Sequence, residues 1–442
     1  MKPIILKRHL ADSSTRDLKH SLTGKLVRVI NGKSPMERYF GISGGGRRMR
    51  GNNSETGIDF NLTPVQEMVR ATAAEFTDRE ILPNITRLDR EHLLSMDIVR
   101  GMAELGMLGA PIPEEYGGQG LDFIATALIC EEIERGDGGF RTLLSVHLGL
   151  NSLTLLKFAN EEQKREYLVP QARGEKIACF GLTEPAAGSD VAALESSARR
   201  EGDHYLLNGQ KTWISYANVA DHFLVFAKTD REAGHRGITA FLLDRSMKGI
   251  ETRDIEHKMG VWAGSTGEIF MSDVEVPVEN RVGEEGEGFK IAMYALDMGR
   301  FTVAAGALGT IRAALDASVR YANQREAFGK PIGRYQFVQE KIAEMVRGLE
   351  TSRLLVYKAA WCKNLGVRNT LETSLAKWHA TESAFYAANA AVQIHGAYGY
   401  SAEYPVERLF RNARAPLLYE GTTEIHKMIQ AEHALGYRKA NG

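Results

Sequence analysis

The feature that most constrains the fold is a change of texture along the chain. Over 59–178 and again over 288–442, apolar residues recur at helical spacing, whereas over 179–287 the runs are short, β-branched or aromatic, and cut by turn residues. A helix buries a stripe at a period near 3.6 and a strand buries a face at period 2, so each stretch fits one kind of element only. A chain of 442 residues also exceeds the size at which one core commonly stops growing. The expected organisation is therefore a basic extension at 1–58, a helical region at 59–178, a β region at 179–287 and a helical region at 288–442. The class is α+β, mostly α.

Local signals place the elements. Thr63-Pro64-Val65-Gln66 offers an N-cap hydroxyl, a proline at the first helical position and a capping-box glutamine. Val65, Met68, Val69, Thr72 and Phe76 then share one face, and Pro83 ends or kinks the run. Helical patterns continue through Ile98 to Leu108, Ala125 to Arg135 and Thr142 to Phe158, and later through Ala343 to Ala360 and Leu375 to Gln393. In the β region, His204 to Leu207 and Lys211 to Ser215 flank Asn208-Gly209, which predicts a hairpin turn there; Phe223 to Lys228 and Ile238 to Asp244 are further strands.

Composition excludes several classes. A hydrophobic share of 43% and a charged share of 25% suit an ordinary globular protein, and a net charge of −1 leaves no overall footprint for nucleic acid. Cys130, Cys179 and Cys362 are widely separated and have no metal-ligand spacing, so they read as reduced, buried thiols. No apolar run approaches the roughly 18 residues of a membrane span, so a protein without membrane insertion is expected. The extension is rich in Lys and Arg, as mitochondrial transit peptides are, yet Asp12, Asp17 and Glu37 interrupt the pattern, and an appended extension outside the fold suits it equally. The expected location is the cytoplasm for a bacterial chain and the mitochondrial matrix for a eukaryotic one.

Six motifs carry chemistry. Cys179-Phe-Gly-Leu-Thr-Glu-Pro-Ala-Ala-Gly-Ser-Asp-Val191 has a tight loop at Pro185 to Gly188. Taken alone it is a Gly/Ser turn, but its hydroxyls and open amides also suit a flavin edge and phosphates, which need donors at fixed positions. There follow Trp213-Ile-Ser215, Arg325-Glu-Ala-Phe-Gly-Lys330 with Gln336, Gln393-Ile-His-Gly-Ala-Tyr-Gly399, Tyr404-Pro-Val-Glu407 and Tyr419-Glu-Gly-Thr422. With these six in order on a helical, β, helical plan, residues 59 to about 436 resemble the acyl-CoA dehydrogenase family. The resemblance implies a helical N-terminal domain, a central β-barrel and a C-terminal four-helix bundle, assembled as a homotetramer or dimer with FAD held between subunits.

Carried onto this chain, the resemblance implies that Phe180, Leu182 and Thr183 meet the flavin's pyrimidine edge, Ser189 its phosphates, and Trp213, Ile214 and Ser215 its N5 face. Arg325, Phe328, Gln336, Gln393, Gly396 and Ala397 would reach the FAD of a neighbouring subunit, and Thr422 and Glu424 complete the cofactor set. Without the resemblance, Arg325 would read as a solvated helix charge and Trp213 as core. The same likeness makes Glu420 the base that removes a proton α to a thioester carbonyl, on a flexible segment between Tyr419 and Gly421. Some branches carry that base on the helix before the substrate arginine, at the position of Gly299, which cannot serve here. Asp297 and Arg300 match the family at that helix, and Arg300 is expected to support the catalytic loop or the ligand.

Gly139-Phe-Arg-Thr-Leu-Leu-Ser-Val146 most resembles the glutaryl-CoA dehydrogenase branch, as do Phe180 to Thr183 and Ile425-His426. In that branch Arg141, Thr142 and Ser145 would meet the distal carboxylate of a dicarboxylic acyl chain, with Ser189, Tyr419, Gly421, Asp297 and Arg300 completing the substrate set. A salt bridge from Arg141 to Glu134 or Asp137 is the competing reading. Trp262, where the family commonly has arginine, and Ala327 and Ala397 depart from the pattern and leave room for a cyclic or branched acyl-CoA. The electron acceptor implied is an electron-transferring flavoprotein. An acyl-CoA oxidase using oxygen, or a non-catalytic acyl-CoA-binding protein on the same fold, are the alternatives.

Overall fold

The computed structural model describes residues 60–437, so the basic extension lies outside the described residues. Thr63 opens helix α1 (Pro64–Phe76): its hydroxyl accepts from the Gln66 amide, and the Gln66 side chain accepts from the Thr63 amide, closing the expected capping box. A π-helical turn, Thr77–Ile81, follows and the helix stops short of Pro83. The pattern at Ile98 to Leu108 is broken in the structure, because Gly106 turns left-handed at φ 71° after a helix at Met96–Glu104 and only a 3-10 turn, Met107–Gly109, continues it. Helix α2 (Phe123–Gly136) is capped by Asp122 and α3 (Gly138–Leu143) by Asp137. From α3 the chain stays helical to Phe158 through a widened, wholly buried stretch, Leu144–Ser152.

The central region is an eight-stranded sheet: β1 (Ala178–Gly181), β2 (Ser197–Glu201), β3 (His204–Ser215), β4 (His222–Lys228), β5 (Ile238–Asp244), β6 (Ile250–Asp254), β7 (Thr266–Pro277) and β8 (Arg281–Val282). Its hydrogen-bonded order is β6-β7-β3-β2-β4-β5-β8, with β1 parallel to β4. β4 and β5 are buried on both faces, which is why they read as continuous apolar runs.

The hairpin expected at Asn208-Gly209 is not there. β3 runs straight through that dipeptide, and the turn joins β2 to β3 at Gly202-Asp203, where Glu201 pairs with His204 and Gly202 has φ 63°. Gly209 instead marks a shift of register against β7, and a β-carbon there would stand 2.7 Å from Ser196 Cβ. The glycine answers a bulge and a close approach, which in sequence look the same as a turn.

Among the described residues that follow, the α-helices are α4 (Gly288–Gln324), α5 (Gln336–Asn364), α6 (Thr370–His395), α7 (Pro405–Arg414) and α8 (Thr423–Ala434). α4 is the axis, packed against α2, α5 and α6. Small buried residues at Ala304, Ala305, Gly306, Ala307 and Gly309 let it approach closely; a β-carbon on Gly309 would stand 2.6 Å from the Arg135 amide nitrogen on α2. The three cysteines are free and buried, as expected. No helix among the described residues is long and apolar enough to cross a membrane.

Candidate active site

Glu420 lies between the 3-10 turn Ala415–Leu417 and α8, and the segment is pinned rather than flexible. Glu420 and Gly421 both have positive φ, 54° and 96°. A left-handed non-glycine residue costs about 1–2 kcal/mol and persists where its surroundings hold it. Here Arg300 Nε donates to the Glu420 carbonyl at 3.0 Å and Lys377 Nζ donates to the Gly421 carbonyl at 2.7 Å. The turn directs the Glu420 side chain onto α4 at Gly299, where a β-carbon would collide with Oε2 and stand 2.8 Å from Cδ. Gly299 therefore leaves open the space that the Glu420 carboxyl group occupies.

Oε2 of Glu420 is buried and has no hydrogen-bond partner among the described residues. An acceptor left unmet inside a protein is costly and calls for an explanation, of which a ligand, a water or a catalytic role is one. Burial pushes the carboxyl above its ordinary range, while Arg141, Lys377, Ser145 and Arg300 pull it back. Arg300 also pairs with Asp297 at 3.1 Å, so the expected Asp297, Arg300 and Glu420 do come together.

Arg141 is fully buried, with Glu420 among the charges around it. Its Nε is paired with Glu134, one η nitrogen donates to Ser145 Oγ at 3.1 Å, and the other donates to the Tyr419 hydroxyl. Of the two acidic partners weighed from sequence, Glu134 is the one found; Asp137 pairs with Arg408 at 3.2 Å instead. Burial opposes the charge on Arg141, but Glu134, Tyr419 and Glu420 raise its pKa overall, so it stays a cation. Gly306 makes room for the pair, since a β-carbon there would stand 2.7 Å from Arg141 Cδ and Nε. The Thr142 hydroxyl donates back to the Gly138 carbonyl at 2.7 Å.

The residues that the sequence reading assigned to the cofactor form two separate groups. In the first, the Thr212 amide donates to the Thr183 carbonyl at 2.9 Å, setting the Thr183 to Ser189 loop beside Trp213. Phe180, Leu182 and Ile214 are buried beneath, Thr183 and Ser215 are half-buried, and Ser189 is exposed. Trp213 is left-handed at φ 59° and 59% exposed, so it is not the core residue that its size alone suggests. A bare indole beside open hydroxyls and loop amides fits a flavin, which wants an apolar face and edge donors. Beneath the loop, Lys211 and Glu184 form a buried pair at 2.5 Å, and Glu184 accepts the Ser196 amide at 3.1 Å; sequence reading had missed this latch.

In the second group, Arg325, Phe328, Gln336, Gln393, Gly396 and Ala397 are all exposed at one end of the helical region. Arg325 lies over the Tyr398 ring at 5.8 Å, and with Gly396 and Ala397 it lines a cavity of about 250 Å³. Thr422 stands at the N-cap position of α8 without a side-chain cap hydrogen bond and is half-buried, whereas Glu424 is exposed. Trp262, where the family commonly has arginine, stacks on His92 at 4.4 Å and carries the Arg411 guanidinium 3.9 Å above its ring. No cluster of metal ligands occurs among the described residues.

A helical, β, helical chain with an inward carboxylate, one oxygen of which has no hydrogen-bond partner among the described residues, and a bare aromatic face is laid out as a flavin-dependent dehydrogenase. The chain belongs to the acyl-CoA dehydrogenase family, an FAD-dependent oxidoreductase acting on CH–CH bonds: models of the acyl-CoA dehydrogenase N-terminal, middle and C-terminal domains match residues 63–175, 179–274 and 286–435. It is 43% identical to a glutaryl-CoA dehydrogenase of Desulfococcus multivorans over 87% of this chain and 100% of the relative. It is 42% identical to a short-chain specific acyl-CoA dehydrogenase of Clostridium acetobutylicum over 84% of this chain and 98% of the relative. Butyryl-CoA dehydrogenase from Megasphaera elsdenii superposes with a TM-score of 0.84 at 40% identity, covering 86% of this chain and 100% of that one.

Proposed function

We propose that the protein oxidises a short acyl-CoA thioester to its α,β-unsaturated form, with the Glu420 carboxylate removing the α proton, and that the acyl chain ends in a carboxylate of the glutaryl type. The proton step rests on one observation, the buried Oε2 of Glu420 without a partner among the described residues. Abstraction needs a base within hydrogen-bond reach and donors where the enolate charge develops. The Glu420 amide, fixed by the clamped left-handed turn, is the protein donor assigned to the thioester oxygen. FAD along Thr183 to Ser189 and Trp213 to Ser215 would supply the hydride acceptor on the opposite face.

The distal carboxylate is assigned to Arg141, Ser145 and Tyr419, a hydrogen-bonded group behind the base; Thr142 is not included, because its hydroxyl is engaged on the backbone. One observation favours a second reading, a neutral short, branched or cyclic acyl chain: Glu134 already balances the Arg141 charge. Turnover of glutaryl-, butyryl-, isobutyryl- and cyclohexanecarboxyl-CoA, with products identified by mass, separates the two. Preference for glutaryl-CoA supports the first reading, preference for a neutral thioester the second, and failure of all four to bleach the flavin defeats both.

The exposed second group, led by Arg325 and Gln336, supports FAD sharing between subunits of a homo-oligomer, tetramer or dimer. Electrons would then pass to an electron-transferring flavoprotein; rapid peroxide formation in air from the reduced protein would instead mark an oxidase.

A further inference from the structure

Among the buried groups that the proposed reaction does not use, Lys377 on α6 is the most unusual. Its side chain is fully buried, it has no carboxylate ion-pair partner among the described residues, and its Nζ donates to the Gly421 carbonyl at 2.7 Å. An ammonium taken out of water needs strong compensation. The charged and titratable groups around Lys377 are Glu420 in the turn, Arg300 on α4, Arg141 on α3, and His426 and Glu424 on α8. Arg300 and Arg141 repel it, so its attraction is to Glu420 and Glu424, and Glu424 is exposed. His426 supplies no charge: burial holds it down to about 2, and its Nδ1 is bonded to Ser374 at 3.1 Å.

We propose that Lys377 is a positioning residue for the base: with Arg300 it clamps the two consecutive carbonyls of the left-handed Glu420-Gly421 turn, and it brings a buried positive charge into the surroundings of the Glu420 carboxylate. The inference rests on Glu420 being the base. The two cations act on neighbouring peptide units, so neither unit can rotate without breaking a charged hydrogen bond. The effect on the carboxylate has a definite sign. Burial raises the Glu420 pKa and the Lys377 charge lowers it, so a neutral residue at 377 leaves Glu420 protonated to higher pH. Burial also brings Lys377 down to about 7, so its charge is present over the acid side of the profile, where the effect is read.

The test compares the FAD-loaded parent with Lys377→Met, which has neither charge nor donor, and Lys377→Gln, which keeps a donor without the charge. The readout is kcat/KM for the best thioester from about pH 5 to 9, whose acid limb reports the base in the free enzyme. Both variants should keep FAD and move the acid limb up by about one pH unit or more. Lys377→Gln should lose less of the plateau rate than Lys377→Met, because it can still hold the Gly421 carbonyl. An unmoved acid limb would overturn the proposal even if the rate fell, since a purely structural role changes amplitude alone. Loss of FAD or of the folded protein in both variants would also overturn it, by making Lys377 a scaffold residue. Glu420→Gln assayed in parallel keeps the two ideas apart: if it reduces its flavin at the parental rate, the base assignment is what has failed.

Discussion

Gly299 and Glu420 meet across the inner surface of α4, where a β-carbon on the glycine would stand 2.8 Å from the Glu420 carboxyl carbon. A methyl group there also meets Leu150 Cδ2 at 2.6 Å. The far ends of two side chains can swing away at modest cost, so Gly299→Ala should fold and bind FAD with a Tm near the parental value. The displaced base should slow flavin reduction by about 10²-fold, since misplacing a reacting group by about 1 Å costs that much. Stopped-flow bleaching at the parental rate would show that the carboxylate does not need this space.

Glu420→Gln should keep flavin and ligand but lose about 10² to 10⁴ in the rate of flavin reduction, because an amide of the same shape accepts no proton. It should also change stability in a pH-dependent way. The folded protein holds the Glu420 proton more tightly than the unfolded chain, whose carboxyl titrates near 4.5. Stability from this group is therefore complete below that pH and is lost as pH rises through the folded value. The variant escapes the loss, so its Tm should exceed the parent's at neutral pH, and the gap should close toward pH 4.5. Equal Tm values across the range would contradict the raised pKa.

Arg325→Ala should lose flavin while the far-UV signal of the helices is unchanged. Arg325 is exposed at the end of α4, where its nearest ring partner is Tyr398 at 5.8 Å, so little of the fold depends on it. A variant that retains parental FAD affinity, or a stable monomer that does, would remove this group from the cofactor site.

Arg141→Met separates a ligand role from a structural one. Removing the guanidinium strands Glu134 in the interior, a loss of about 3–5 kcal/mol when one partner of a buried pair is deleted. Adding Glu134→Gln should restore much of that stability, so specificity is best read in the double variant. If Arg141 binds a distal carboxylate, kcat/KM should fall for glutaryl-CoA and hold for valeryl-CoA. An unchanged ratio would favour the neutral substrate.

The order of helical, β and helical regions was legible because periodicity is a property of neighbouring residues, and the Thr63 cap and the buried cysteines were legible for the same reason. Asn208-Gly209 misled because a glycine bulge and a glycine turn share one local signature, and only the partner strand decides between them. Of the site, Glu420 and Trp213 were named through family likeness and Glu134 as one of two acids that could pair with Arg141, but Lys377 and Gly306 carried no signal as members of it. A buried lysine has the same letter as a solvated one.

What the sequence determined by itself was the set of elements and the residues capable of the chemistry, since helix caps, strand alternation and side-chain functional groups are fixed over a few residues. Where the Glu420 carboxylate sits and how tightly it holds its proton were left to the tertiary structure. The Glu420 carbonyl is held by Arg300, which lies 120 positions away in sequence, the next carbonyl by Lys377, 44 positions before Gly421, and the Tyr419 hydroxyl by Arg141, 278 positions away. A carboxylate's position, burial and proton affinity depend on distances to groups such as these, and those distances exist only once α3, α4, α6 and the turn before α8 are packed together.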